Sequence, residues 1–282
     1  MERTGSKGRA VILCVDVGNT HVTLGLFRAE VLSLSWRVAT APERTSDEYG
    51  LLLLGLLGQA GIDPTGIEGV ALASVVPPLT VHWVEACVRF LKRTPLVVDA
   101  GVKTGVKIRY DDPRQVGADR VVDAAAVQRL YGGPACIVDF GTATTFDAIS
   151  AEGEYLGGAI APGLGVALDA LCTRTAKLPK VEIQKPPAVI GKNTVHSMQS
   201  GILFGYVSLV EGMVARFRGE LGPEMKVIGT GGWVELIAKE TKVFTALAPS
   251  LTLEGLRIVW DLNRETARAP HAPAAVALHR RD

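Results

Sequence analysis

Nothing in this chain supplies the cysteine spacing of a metal or redox motif. Its four cysteines, Cys14, Cys87, Cys136 and Cys172, are widely scattered, with neither a C-x-x-C pair nor a histidine at zinc-binding distance. They read as reduced core residues of a cytoplasmic protein. Charge excess is missing as well: 30 Lys+Arg stand against 29 Asp+Glu, a net charge of +1, without the basic surplus of nucleic-acid binders. The most apolar window, Leu51 to Leu57, is too short to cross a bilayer. Residues 1–9 form a polar leader that fits neither a signal peptide nor an anchor. No nucleic acid and no membrane are therefore expected as partners. Residues 264–282, rich in Ala, Pro, Arg and His without periodicity, read as a flexible tail.

What the chain does contain is one short text written twice. Val15-Asp16-Val17-Gly18-Asn19-Thr20 and Val138-Asp139-Phe140-Gly141-Thr142-Ala143 lie 123 positions apart. In each, an apolar run of strand length ends at an aspartate and opens into a glycine-containing polar turn, the pattern of a buried strand entering a hairpin. Gly18 and Gly141 permit close backbone approach, and the freed N–H groups with adjacent hydroxyls suit phosphate oxygens. The aspartate at each strand end can hold a cation or a water. A lone copy is no more than an Asp-x-Gly hairpin, but two in equivalent contexts point to phosphate chemistry between related lobes.

Length agrees, since 282 residues at 48% hydrophobic content suit two cores better than one. After a first hairpin over 11–27, Thr45-Ser46-Asp47-Glu48 has capping-box spacing and predicts a helix through Leu57 that stops at Gly61. Strands are expected over 69–76 and 95–98, with a helix over 78–91 between them. A helix from Gly117 runs to the Gly132-Gly133 stop. The second hairpin starts at Cys136, followed by turns at Gly157-Gly158 and Pro162-Gly163, a helix over 166–173 and a long helix over 194–221. A strand from Met225 enters the glycine-rich turn Gly229-Thr230-Gly231-Gly232, a second candidate nucleotide contact, and a helix over 233–239 follows. The expected lobes are 10–125 and 126–263.

Along the long helix Gly201, Gly205, Ser208 and Gly212 recur every three or four residues on one face. Helical glycine costs ~1 kcal/mol against alanine, which a close packing surface offsets, either inside the lobe or across a homodimer. Gly191-Lys192-Asn193-Thr194 is not a P-loop, because Pro186 occupies the required glycine position and Asn193 interrupts the Lys-Ser/Thr pair. The five histidines share no ligand spacing. His21, within the first turn, could contact a phosphate or pack in the hairpin.

In this combination and order the chain resembles the type III pantothenate kinases, members of the acetate and sugar kinase/Hsp70/actin superfamily. The likeness spans 11–263 and rests on Asp16 to Thr20, Gly117-Ala118-Asp119-Arg120, Asp139 to Thr145, Gly157-Gly158 with Pro162-Gly163, and Leu251 to Leu256. It implies an α/β fold of two ribonuclease-H-like lobes, each a mixed sheet with flanking helices, and ATP-dependent phosphorylation of pantothenate to 4′-phosphopantothenate. The nucleotide site implied is Asp16, Val17, Gly18, Asn19, Thr20, His21, Val22 and Thr23 with Thr142. The pantothenate site implied is Tyr110, Gly117, Ala118, Asp119, Arg120 and Thr194. Asp119 matches the catalytic base, and Asp139 matches the ligand of a monovalent cation, potassium or ammonium. The likeness further implies a homodimer with pantothenate near its interface.

Physical chemistry supports the Asp119 assignment independently. In the first turn of its helix the macrodipole favours the ionised carboxylate by about 0.3–1 kcal/mol, and a base must be ionised. Phosphoryl transfer otherwise asks mainly for positioning and charge neutralisation. Magnesium is expected beside the nucleotide phosphates, and Arg120 could grip the substrate carboxylate through its planar fork. Asp112 stands where the family favours asparagine before proline; it either alters pantothenate binding or starts an Asx-Pro turn. Two other classes remain open: a nuclease, in which Asp16, Asp123, Asp139 and Asp147 would converge on two divalent metals, and a regulator that binds nucleotide without turnover.

Overall fold

The structure, a computed structural model, describes residues 11–267; the leader and residues 268–282 lie outside the described residues. Val11–Val17 (β1) and His21–Arg28 (β2) form the first hairpin, and Val31–Ala39 (β3) pairs antiparallel with β2. Ser46–Gln59 (α1) starts as the capping box predicts: Thr45 accepts from Glu48 N, and the Glu48 carboxylate accepts from Thr45 N at 2.8 Å. It stops before Gly61, whose φ is +66°. Ile67–Ser74 (β4), Pro77–Ala86 (α2) and Leu96–Val97 (β5) finish a sheet of order β3-β2-β1-β4-β5, with β4 parallel to β1.

After Ala118–Leu130 (α3) the plan repeats. Ala135–Phe140 (β6), Ala143–Ile149 (β7) and Tyr155–Pro162 (β8) lead through Leu164–Arg174 (α4) to Thr194–Leu221 (α5). Lys226–Gly231 (β9), Val234–Ala238 (α6), Ala246–Leu247 (β10) and Leu251–Ala267 (α7) follow. The second sheet runs β10-β9-β6-β7-β8, with β9 parallel to β6, so each lobe centres on the strand that carries its Asp-x-Gly text.

Several details differ from the sequence reading. β3 was not expected, although Leu32, Leu34, Trp36 and Val38 alternate with Ser33, Ser35 and Arg37 in the two-residue pattern of a strand. Gly157 and Gly158 are not a turn but lie inside β8, where a Cβ on Gly158 would meet Phe146 O at 1.8 Å. Gly229 to Gly231 likewise belong to β9, leaving Gly232 as the turn. The expected tail from residue 264 begins as the last turn of α7.

The outer faces of the sheets hold separate cores. Leu13, Val15, Val17, Val22, Leu24 and Leu72 pack with Tyr49, Leu53 and Trp83 of α1 and α2; Val138, Phe140 and Val227 pack with Leu203, Tyr206 and Val210 of α5. The inner faces share two helices, with Val122 and Ala125 of α3 packed on the first sheet and Leu251 and Ile258 of α7 on the second. α3 lays Val121, Ala124 and Val127 on Ile137, Ile149 and Ile228 of the second sheet. α7 lays Leu253, Leu256, Val259 and Trp260 on Ile12, Cys14, Ala71 and Ala73 of the first. Gly69 makes the fit, since a Cβ there would sit 1.9 Å from the Trp260 ring, and Gly255 lets α7 cross α3 against Val122 O. Truncating Leu256 in this layer costs ~2–5 kcal/mol by the usual scale for buried leucine. The boundary expected at 125/126 lies inside α3.

Among the described residues α5 is the one helix long and apolar enough to cross a membrane, and half of its apolar window is buried in the protein. Gly201, Gly205, Ser208 and Gly212 lie on its exposed face, and a Cβ on any of the three glycines would meet no atom within 4 Å. Among the described residues, the three glycines of the stripe therefore have no packing partner.

Candidate active site

Asp16 and Asp139 stand at the carboxyl ends of the central strands β1 and β6, opposite Thr23 and Thr145 of the neighbouring strands. Each turn is closed by a glycine amide: Gly18 N donates to His21 O, and Gly141 N donates to Ala143 O, both at 3.0 Å. The tips meet across the cleft, with Thr20 Oγ1 and Thr142 Oγ1 2.7 Å apart. Thr40 braces the first tip, donating through Oγ1 to Gly18 O at 2.6 Å and through N to Thr20 O. Asn19, Thr20 and His21 are exposed. Val17 and Val22 turn their side chains into the outer core, so only their backbone can serve a ligand.

α3 delivers the third carboxylate. Gly117 caps this helix, and its missing side chain is what admits Asp119, whose Oδ1 would lie 2.5 Å from a Cβ there. That oxygen accepts Arg120 N at 2.8 Å. Burial nevertheless raises the Asp119 pKa, outweighing the helix-start hydrogen bond that lowers it. The macrodipole argument alone thus gave the wrong net direction, because desolvation of an enclosed carboxylate exceeds a terminal dipole. One turn along, Asp123 is buried, and its Oδ1 has no hydrogen-bond partner.

These carboxylates sense one another. Asp16 is pushed up to about 8, mainly by burial and then by Asp119 and Asp139; Asp139 is pushed up to about 7, again by burial first, then Asp119 and Asp147. Asp123 is raised by burial and by Asp139, while Thr252 of α7 opposes the shift through a hydrogen bond. Their juxtaposition marks a place built to receive positive charge. Among the described residues no three acidic, histidine or cysteine side chains meet as a metal-ligating group. A cation at Asp139 would take its remaining ligands from backbone oxygens or substrate. Gly231, at φ +89°, leaves open beside this carboxylate the space that a Cβ 2.3 Å from its Oδ1 would fill.

Arg120 departs from expectation. Its Nε donates to Asp147 Oδ1 at 2.8 Å, and its Nη2 lies 2.6 Å from the same oxygen. Tyr155 OH donates to that oxygen too, and Thr145 donates to Oδ2. The guanidinium is therefore fixed by a buried carboxylate before any substrate arrives. The guanidinium also lies against Gly158, where a Cβ would sit 3.0 Å from Nη2, and Tyr110 covers Gly157 in the same way. Tyr110 also stands 6.3 Å from the Tyr155 ring. Glycine in β8 thus opens space beside Tyr110 and Arg120.

Thr194 is not part of this gathering. It lies at the start of α5 in an open cavity of about 710 Å³ lined by Leu171, Lys192, Ser197 and Met198, none of them a predicted site residue. Asp112 caps the Pro113–Gln115 turn, accepting Arg114 N at 3.1 Å and pairing with its guanidinium, which lowers the Asp112 pKa. The Asx-Pro alternative is what the structure shows. Sequence reasoning missed the anchoring role of Asp147 and Tyr155 and the brace at Thr40. Two-residue alternation from Asp139 through Thr145 and Asp147 was the available signal for the first.

A family model described as type III pantothenate kinase matches residues 12–216. The chain is 54% identical over 253 residues to the type III pantothenate kinase of Moorella thermoacetica, covering 90% of this chain and 100% of that protein. It is 51% identical to that of Dehalococcoides mccartyi strain 195, over 90% of this chain and 98% of that protein. Two solved structures share the fold at low identity. A putative Baf family transcriptional activator from Campylobacter jejuni superposes with TM-score 0.58 at 17% identity, covering 90% of this chain and 99% of that one. A putative 2-dehydro-3-deoxygalactonokinase from Sinorhizobium meliloti gives 0.53 at 12%, covering 89% and 98%.

Proposed function

The chain belongs to the type III pantothenate kinase family, and from that premise we propose how its residues divide the work of phosphorylating pantothenate with ATP, the first step of coenzyme A biosynthesis. The observation that carries the assignment is the placement of Asp119, on a helix between the lobes and in electrostatic contact with the aspartates of both hairpins. The backbone and hydroxyls of Asp16 to Thr23, with Thr142, bind the ATP phosphates. Asp119 takes the proton of the pantothenate primary hydroxyl as its oxygen bonds to the γ-phosphorus and the bond to ADP breaks. Tyr110, Gly117, Ala118 and Arg120 hold pantothenate, with Arg120 pre-aimed by Asp147 toward its carboxylate.

Asp139 suits a monovalent cation, potassium or ammonium, and Asp16 suits the magnesium that accompanies ATP. Those cations supply neutralisation of the phosphate charge. The raised carboxylate pKa values support this, since positive charge beside them restores ionisation. A cytoplasmic homodimer accounts for two further features: the open small-residue face of α5, and Thr194, which would reach pantothenate from the second copy.

The test is conversion of pantothenate to 4′-phosphopantothenate by the purified protein with ATP, magnesium and potassium. Product is expected from the wild type and not from Asp119→Asn. A wild type that binds ATP without turnover would return the regulator reading.

A further inference from the structure

One cation faces the cleft with no task in the scheme above. Arg37 lies on β3 opposite Thr23, which itself lies opposite Asp16. Cross-strand partners share a face of a sheet, so Asp16, Thr23 and Arg37 form a row on the inner face of the first lobe. Trp36 and Val38, on either side, pack against the outer core, which fixes Arg37 to the inner side. Its guanidinium reaches the second lobe: a Cβ on Gly232 would lie 3.4 Å from Nη1 and 4.0 Å from Nη2. Yet no carboxylate or carbonyl holds it among the described residues.

An arginine that stays unpaired a strand or two from Asp16 is in a position to serve an anion that is not part of the protein. The nucleotide-binding set of Asp16 to Thr23 and Thr142 contains no lysine or arginine, and Arg120 is committed to Asp147. A triphosphate entering this cleft meets four carboxylates, so fixed positive charge from the protein must come from elsewhere. We propose that Arg37 binds the phosphate chain of ATP, spanning from β3 to the Gly232 turn so that nucleotide ties the two lobes together. The planar fork suits two phosphate oxygens at once. The inference rests on the kinase reading above and names a phosphate-binding residue for it.

Calorimetry on the full-length protein with magnesium and potassium, using ATP, ADP and adenosine as separate probes, tests it. Arg37→Ala should weaken ATP and ADP by about tenfold or more while leaving adenosine unchanged, as expected for loss of a charge-assisted contact. Arg37→Lys should recover part of the loss, and KM for ATP should rise while KM for pantothenate holds. ATP binding by Arg37→Ala within about twofold of wild type, or an equal loss for adenosine, overturns the assignment and leaves the kinase reading standing. A wild type that binds no ATP removes both. Arg37 is exposed, so its replacement should not disturb folding, which a thermal melt checks.

Discussion

The two lobes carry the same hairpin on the same sheet order, and they differ in two places. Between the paired Val17 and Val22 lie four residues, while between Phe140 and Thr144 lie three, so the first turn offers one more backbone amide. Across the inner faces, the first lobe reads Ala73, Asp16, Thr23, Arg37, and the second reads Thr230, Asp139, Thr145, Ile160. An arginine ends one row and an isoleucine ends the other. In the scheme proposed above, the first copy of the scaffold takes the polyanion and the second takes the cation, while the base comes from neither hairpin.

That last point has the largest expected consequence. Asp119→Asn should lower kcat by about 10²–10⁴, the usual range for a general base, with circular dichroism and oligomeric state unchanged. A near-normal rate would move proton acceptance into one of the hairpins. Next, Asp139→Asn should erase the preference for potassium over sodium in the steady-state rate, whereas Asp16→Asn should keep that preference and raise the ATP requirement. Equal behaviour in the two variants would break the contrast between the lobes.

Gly205→Leu with Gly212→Leu should weaken the proposed dimer, read by light scattering, and leave the protomer fold intact, because among the described residues nothing lies within 4 Å of a Cβ at either glycine. An unchanged dimer would place the interface elsewhere. The smallest effect concerns stability. Asp16 titrates near 3.8 when unfolded and at about 8 when folded and ligand-free. Folding therefore gains from its protonated form below the lower value and loses that gain as pH rises through the higher. The ligand-free melting temperature should fall between pH 5 and 8, and Asp16→Asn should flatten the slope, by about 2–4 °C per kcal/mol relieved. A slope unchanged in the variant would show that Asp16 is not the group being ionised.

Local chemistry was legible in the sequence and tertiary exchange was not. The capping box at Thr45, the helix from Gly117 and the length of α5 follow from nearest-neighbour rules, as do both Asp-x-Gly hairpins. Glycines misled where they serve packing rather than turning: Gly158 and Gly229 sit inside strands because Phe146, Val234 and Phe244 approach too closely for a side chain. The Arg120 anchor was hidden because Asp147 lies in a different element, and no spacing rule couples a helix start to a strand two turns of chain away. The sign of the Asp119 shift was hidden for a related reason, since burial is a property of the assembled cleft.

The shared helices also set an order of events during synthesis. When the ribosome has released β1 to α3, the inner face with Ile12, Cys14, Ala71 and Ala73 has only Val122 and Ala125 of α3 as cover, because the rest of its layer is α7, the last described element of the chain. The first lobe therefore waits, partly exposed, through the making of the second. The other side of α3, with Val121, Ala124 and Val127, meanwhile waits for the sheet that follows. Neither half matures alone, and a chain that stops short of residue 251 opens apolar surface on both lobes to chaperones and proteases, the first losing Leu253, Leu256, Val259 and Trp260 and the second Leu251 and Ile258.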